Sequence, residues 1–402
     1  MKILVVTGRF GIEVLEKLRN IFPEIFPSDV ELKYLNMTGG LISFLSDKYI
    51  EDIVRKEISK DRFDLVIVPY GFSIKVDNVP VIYLKHVSDI PALLMYLKYC
   101  NDIPRDIKNL YEKISKYQEY IESFVIENSY RVRYYRAEFG RRSRFRVNGL
   151  PPLIIAEIVD ATRINLNTCV EIALKYVDEG ASIIDVGCVA GSPNPARVYE
   201  VVRELSREIP DNVGISVDSL SIQEIEAGVR AGVDLILSIT RGMLDKLNFN
   251  IKDVGVVVIP DRDSDDINYL HSYFEYCSKY LESRGAIPII DPLLKPPIFN
   301  LSKSICRYVN IRELFKDRPI LMGFGNVVEL MDVDPHGVYA LLSAIAVELE
   351  IDLILTTEAS VKTRNSIEDL KTALYMCTAA KILSKYPKDM SRNLLKLRRK
   401  WD

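Results

Sequence analysis

Between Glu157 and Glu358 the chain places polar side chains at or just after the end of each of eight short apolar runs. Glu157 closes the first, with Asp160 just beyond it, and Asp185 lies within the second. Asp218 and Ser219 end the third, and Ser238 and Thr240 the fourth. Asp261, Arg262 and Asp263 follow the fifth; Asp291 ends the sixth, with Lys295 in the loop after it. Asn326 and Glu329 follow the seventh. Thr356, Thr357 and Glu358 follow the eighth, with Lys362 and Arg364 further on. One carboxylate at a strand end commonly caps a helix or pairs with a base. Several converging on one rim are costly to bury unless a cation or a donor-rich ligand faces them. A metal meets that need, and so does a ligand with an amidine-like edge. Glu157, Asp160 and Asp185 offer oxygens suited to Mg²⁺ with waters.

Those acids need a frame that brings strand ends together. The apolar runs are Leu153–Val159, Ser182–Gly187, Val213–Asp218, Asp234–Ile239, Val254–Ile259, Ala286–Asp291, Pro319–Gly323 and Ile351–Thr356. Helical patterns separate them, among them Asn165–Asp178, Pro195–Glu208, Asp265–Ser283, Asn300–Phe315 and Ser366–Lys385. A short helix is expected at Met243–Leu247. Eight strands, each followed by a helix, over about 250 residues make a (β/α)₈ TIM barrel, with its site at the strand C-termini. Gly180, Gly232 and Gly285 precede strands, as glycines at helix C-termini do.

The first third is organised differently. Lys2–Thr7, Phe63–Pro69 and Val79–Leu84 read as buried strands. Helical patterns at Ser46–Ser59, Ile90–Lys98 and Asp106–Phe124 alternate with them. This predicts a small flavodoxin- or Rossmann-like parallel α/β domain. Gly8–Gly11 is only a fragment of a dinucleotide fingerprint and reads as a strand-to-helix turn. Tyr130–Val147 carries seven arginines interleaved with aromatic and valine residues on either side of Gly140. That alternation predicts a hairpin. It either offers a basic ribbon to RNA or phosphate, or pairs its arginines with carboxylates while its other face plugs the next domain. The expected division is residues 1–128, a basic hairpin linker at 129–150, and a barrel at 151–402.

Composition sets the bounds. With 48% hydrophobic residues, the 402-residue chain can bury two cores. A net charge of −3 among 27% charged residues gives no reason to expect nucleic acid or a membrane surface as partner. No run is long enough to span a bilayer, and no signal peptide opens the chain, so a cytoplasmic location is expected. The six cysteines and three histidines make no zinc spacing. Glutamine occurs only at Gln118 and Gln223, a weak thermophile signature.

A pterin has the edge these acids could accept. Its 2-amino group and N3–H are adjacent donors that one carboxylate takes in parallel. Asp218 and Asp291 facing across a barrel mouth would hold such a ring, with the Asn326 amide available to N5. The segments Val177–Gly187 (VDEGASIIDVG), Ile215–Gly232 (ISVDSLSIQEIEAGVRAG), Ile289–Leu293 (IIDPL) and Leu321–Asn326 (LMGFGN) resemble the pterin-binding superfamily. Dihydropteroate synthase and the methyltetrahydrofolate corrinoid methyltransferases belong to it. The likeness covers about residues 150–385. Thr356–Ser366 (TTEASVKTRNS), Pro387–Leu395 (PKDMSRNLL) and the N-terminal VTGR are similar to the archaeal dihydropteroate synthase-related proteins.

The resemblance implies that Asp218 and Asp291 match the pterin aspartates of the third and sixth strands. Asn326, in GFGNV, matches the methyltransferase asparagine that reaches N5. It also implies departures from true synthases. Ala190-Gly191-Ser192-Pro193 replaces Ser-Thr-Arg-Pro, and Leu237-Ser238 replaces Asn-Asp. Gly325-Asn326-Val327 replaces Ser-Arg-Lys, and Thr356-Thr357-Glu358 replaces Arg-x-His. Asn326, Lys295 and Glu358 are then the catalytic candidates, and Asp218, Asp291, Asn326, Ser238, Asp185 and Glu157 the pterin-binding ones. Lys362 and Arg364 are candidates for anion contacts, and Asp160 for a metal. The implied function is a transferase on a reduced pterin, in folate- or methanopterin-type cofactor biosynthesis. The alternatives are methyl transfer to a separate corrinoid protein, since no D-x-H-x-x-G segment occurs here, and a non-enzymatic pterin-binding protein. By analogy with the superfamily, a homodimer is expected.

Overall fold

A computed structural model describes residues 1–21, 26, 29–37, 46–69, 72–84, 90, 93–94, 97 and 117–388. The chain divides into two compact units, Met1–Ser123 with Leu383–Leu395, and Phe124–Ile382 with Lys396–Asp402. No helix among the described residues is long and apolar enough to cross a membrane.

In the first unit, β1 (Lys2–Thr7), β2 (Glu31–Asn36), β3 (Leu65–Pro69) and β4 (Val81–Leu84) form a parallel sheet in the order β2-β1-β3-β4. Alternate side chains serve its two faces. Ile3, Val5, Leu65 and Ile67 enter one core. Leu4, Val6, Val66 and Val68 enter the other, against Ile50 and Val54 of the helix Asp47–Ile58. Ser46 caps that helix by accepting from the Tyr49 backbone N–H. Strand β2 has no counterpart among the apolar runs because its burial is only partial along its length. Most of the helical pattern at Ile90–Lys98, and residues 106–116 of the next one, lie outside the described residues. The described part of that second helix runs Tyr117–Asn128.

In the second unit, a hairpin of β5 (Ala137–Phe139) and β6 (Phe145–Val147) precedes eight parallel strands. These are β7 (Leu153–Ile158), β8 (Ile183–Gly187), β9 (Gly214–Asp218), β10 (Leu235–Ile239), β11 (Gly255–Val258), β12 (Ile287–Ile290), β13 (Leu321–Gly323) and β14 (Leu353–Thr357). They order as β12-β11-β10-β9-β8-β7-β14-β13. A parallel bridge between Ile290 and Ile320 closes the ring, with the Ile290 N–H donating to the Pro319 carbonyl at 2.9 Å. Every expected barrel strand is present. Gly180 and Gly232 end their helices at φ 110° and 108°, where a side chain would be strained. The short helix expected at Met243–Leu247 is a 3₁₀ segment, Arg241–Lys246.

The hairpin plugs the end of the barrel from which the strands start. Phe139 and Phe145 stack at 5.5 Å and share a core with Ile183, Leu235, Val257, Ile289, Leu321 and Leu353. Gly214 and Gly255 make room for them. A Cβ on Gly214 would lie 2.6 Å from the Phe145 ring, and one on Gly255 2.9 Å from Phe139. The arginines fasten this plug. Arg136 pairs with Asp352 at 3.0 Å and Glu350 at 2.9 Å, and its guanidinium stacks 3.6 Å from the Tyr134 ring centre. Arg141 donates to the Asn250 and Lys252 carbonyls, and Arg142 to those of Ile209 and Pro210. Charged hydrogen bonds thus hold Arg136, Arg141 and Arg142 against the barrel, while Arg131, Arg133, Arg144 and Arg146 are exposed.

Candidate functional site

At the opposite end, the register sets the site. Glu157 pairs with Asp185 across β7 and β8, and Gly187 with Asp218 across β8 and β9. A cavity of about 530 Å³ opens there, lined by Glu157, Cys188, Asp218, Glu224, Ser238 and Ile259 among others. Among the described residues, no lysine, arginine or histidine lines it. Glu157, Asp185 and Asp218 each offer a carboxylate oxygen, and the three oxygens lie within 4.8 Å of one another.

The electrostatics follow from this crowding. Burial, then the nearby Asp218 and Asp160 charges, push the Glu157 carboxyl up to about 7. Burial raises Asp185 well above the usual carboxylate range, helped by Asp218 and Glu157. Burial likewise raises Asp218. Among the described residues no group donates to the Asp218 side chain. The Ser216 hydroxyl donates to Asp185 Oδ1 at 2.5 Å, and Asp185 Oδ2 has no hydrogen-bond partner.

Asp291 sits at the end of β12, outside the lining of this cavity. Its Oδ1 accepts from the Tyr308 hydroxyl at 2.7 Å and the Leu293 N–H at 2.8 Å. Burial nonetheless pushes it up to about 6. Asn326 is exposed in the short helix Gly325–Val328, and its amide donates to the Leu294 carbonyl at 2.9 Å. That bond ties the loop after β13 to the loop after β12.

The remaining candidates are occupied elsewhere. Lys295 pairs with Asp263 at 3.2 Å. Glu358 is paired with Lys175 and accepts from the Ile367 N–H at 3.1 Å, so it fastens two helices. Its carboxyl lies below the usual range: burial opposes ionisation, but the Lys175 bond and the helix-start N–H groups outweigh it. Lys362 donates to the Glu329 and Met331 carbonyls and so secures the loop after β13. Arg364 is exposed. Asp160, expected beside Glu157 and Asp185 in an acidic group, sits in a turn at φ 53° and pairs with Arg163 at 3.9 Å. Asp218 takes its place in the cluster, because the β8–β9 register carries it there.

Three site-shaping residues were not singled out in the sequence. Tyr308 looks like an ordinary apolar position of its helix. Arg307, also buried, grips Asp263, Asp265 and the Pro292 carbonyl, fixing the loop that follows Asp291. Glu224 stands three residues after Ser221, a capping-box spacing. Its carboxylate instead accepts from the Ser219 hydroxyl and the Asn194 N–H, joining the loops after β8 and β9.

The chain is similar in part to known proteins. Residues 157–260 match the model of the family described as pterin binding enzyme. A Yersinia pestis dihydropteroate synthase structure, with a pterine-sulfa conjugate, is 19% identical with a TM-score of 0.48, covering 61% of this chain and 98% of that one. A 7,8-dihydropteroate synthase from Vibrio fischeri is 16% identical with a TM-score of 0.47, covering 61% and 98%. Part of the barrel, residues 157–260, is thus similar in sequence to pterin binding enzymes. The uncharacterized protein MJ0107 of Methanocaldococcus jannaschii is 30% identical over 420 residues, covering 98% of this chain and 78% of that one, and the chain belongs to its family.

Proposed function

We propose that this chain binds a reduced pterin at the barrel mouth and acts on it as a transferase, in biosynthesis of a folate- or methanopterin-type cofactor. Asp218 carries the reading: a half-buried carboxylate lining a cavity, with no donor of its own among the described residues. A ligand with paired N–H donors satisfies it as no neighbouring side chain does. The pterin-binding family match spans the strand that bears Asp218. Asp291 and Asn326 are the further ring contacts in this reading, with Ser238 on the cavity wall.

The anion contacts differ from those that the resemblance to an ordinary dihydropteroate synthase implies. Among the described residues the cavity lining has no basic side chain, and Lys295 and Lys362 are engaged with Asp263 and with loop carbonyls. Arg364, exposed beyond β14, is the remaining candidate for an anionic group.

Calorimetric titration with a reduced pterin tests the proposal. Wild type should bind, and Asp218→Ala and Asp291→Asn should each weaken binding roughly ten- to a hundredfold, the loss of one charged hydrogen bond. No binding by folded wild type would reject it.

A further inference from the structure

The hairpin that plugs the barrel has two faces. Side chains alternate along β5 and β6, so Phe139, Phe145 and Val147 turn into the barrel core, while the cross-strand pair Glu138 and Arg146 turns away from it. Packing accounts for the inward face. It leaves unexplained the exposed Arg131, Arg133, Arg144 and Arg146, and with them Tyr130, 60% exposed, and Tyr135, 69% exposed. An open cleft of about 500 Å³ collects part of this set: Arg133, Tyr134, Tyr135, Glu138, Arg146 and Asn148 line it. Glu138 pairs with Arg146 at 2.7 Å and with Arg144 at 3.5 Å, so one carboxylate serves two guanidinium groups. Arg144 also reaches Asp253 at 3.7 Å. Among the described residues, the Arg133 guanidinium has no ion pair or hydrogen bond, and the Asn148 amide has no partner. Tyr134 gives a ring face to Arg136, whereas nothing described stacks on Tyr135. The cleft therefore offers a free guanidinium fork, a free aromatic ring and a free amide within an excess of positive charge.

We propose that this outward face binds a single-stranded nucleic acid, with a base stacked on Tyr135, a phosphate on the Arg133 fork and the Asn148 amide at a base edge. A guanidinium takes two phosphate oxygens in parallel, and an exposed tyrosine ring accepts any base face. In a duplex those faces are already stacked on one another, so the strand that fits is a single one. Arg131, Arg144 and Arg146 extend the positive charge beside the cleft. The whole chain carries −3, so the attraction is local to this face and weakens with salt. The face lies at the end of the barrel away from the acidic cavity, and the proposal is independent of the pterin reading.

The test is fluorescence anisotropy of a labelled oligouridylate of about 12 nucleotides, titrated with the full-length protein at several salt concentrations. Wild type should bind it saturably, and more weakly as salt rises. Tyr135→Ala should weaken binding at least about fivefold, the loss of one base stack, and Tyr135→Phe should recover it. Arg133→Ala should weaken binding and lower the slope of log K against log salt by about 0.7, the loss of one phosphate contact. Arg207→Ala, which removes an exposed arginine from the helix Pro195–Glu208, should change nothing. The same strand annealed to its complement should bind far more weakly. The substituted side chains are exposed, and thermal melting confirms that the variants fold. No binding by folded wild type, or binding that survives both Tyr135→Ala and Arg133→Ala, overturns the proposal. So does an equal loss with Arg207→Ala, which would mark mere charge attraction, or equal binding of the duplex. Adenosine monophosphate competing as well as the strand overturns it too, in favour of a free-nucleotide pocket. No pterin is present, so failure here leaves the pterin titration to stand or fall separately.

Discussion

At the plugged end of the barrel Asp234 accepts four backbone N–H groups, from Arg141, Arg142, Ser143 and Ile215. Asp352 accepts from Arg136, Arg312 and the Ile320 N–H. At the open end Asp185 keeps an orphan oxygen, and nothing described donates to Asp218. All four carboxylates are largely buried on strands of one barrel or just before them. The first pair completes the fold internally, so it reads as structural. The second pair keeps acceptor oxygens without a donor among the described residues, which the proposed ligand would use.

The contrast should show in stability first. Asp352→Ala should cost about 3–5 kcal/mol in denaturant unfolding, since it strands two buried arginines. Phe139→Ala, which empties the plug, should cost a similar 3–5 kcal/mol or so. A small effect from either would break the comparison. Asp291 lies between the extremes, bonded yet raised to about 6 by burial. Its folded pKa exceeds the unfolded value of 3.8, so its contribution to stability is full below about pH 4 and lost as pH rises through about 6. The wild-type advantage over Asp291→Asn should therefore shrink by roughly 3 kcal/mol between pH 4 and 7, measured by unfolding at each pH.

Binding should move the other way with pH. Asp291 must be ionised to accept from a ligand, so pterin affinity should fall about tenfold per unit below about pH 6. A calorimetric series would show this, and Asp291→Asn should flatten the curve. The smallest effect belongs to the open end. Asp218→Ala should change unfolding free energy by less than about 1 kcal/mol while losing pterin binding, because it breaks no described hydrogen bond. A large loss of stability would place Asp218 with the structural acids.

Much of the frame was legible before any coordinates. The barrel strands announce themselves as apolar runs at regular spacing, because strands covered on both faces need continuous hydrophobic residues. Half-exposed β2, with only partial burial, left no such mark. Local chemistry likewise wrote Gly180 and Gly232 into the helix ends and alternation into the hairpin.

What the sequence alone determined, then, is the class of the fold and the rim on which acids would gather, since both follow from periodicity and order along the chain. Which acids meet was decided only by tertiary structure. Register brings Asp218, not Asp160, to Glu157 and Asp185. Packing commits Lys175 to Glu358, Lys362 to loop carbonyls and Tyr308 to Asp291. Such pairings span tens to hundreds of residues in sequence. A charged side chain's role depends on which partner the closed barrel brings within hydrogen-bond reach, and no local pattern records that distance.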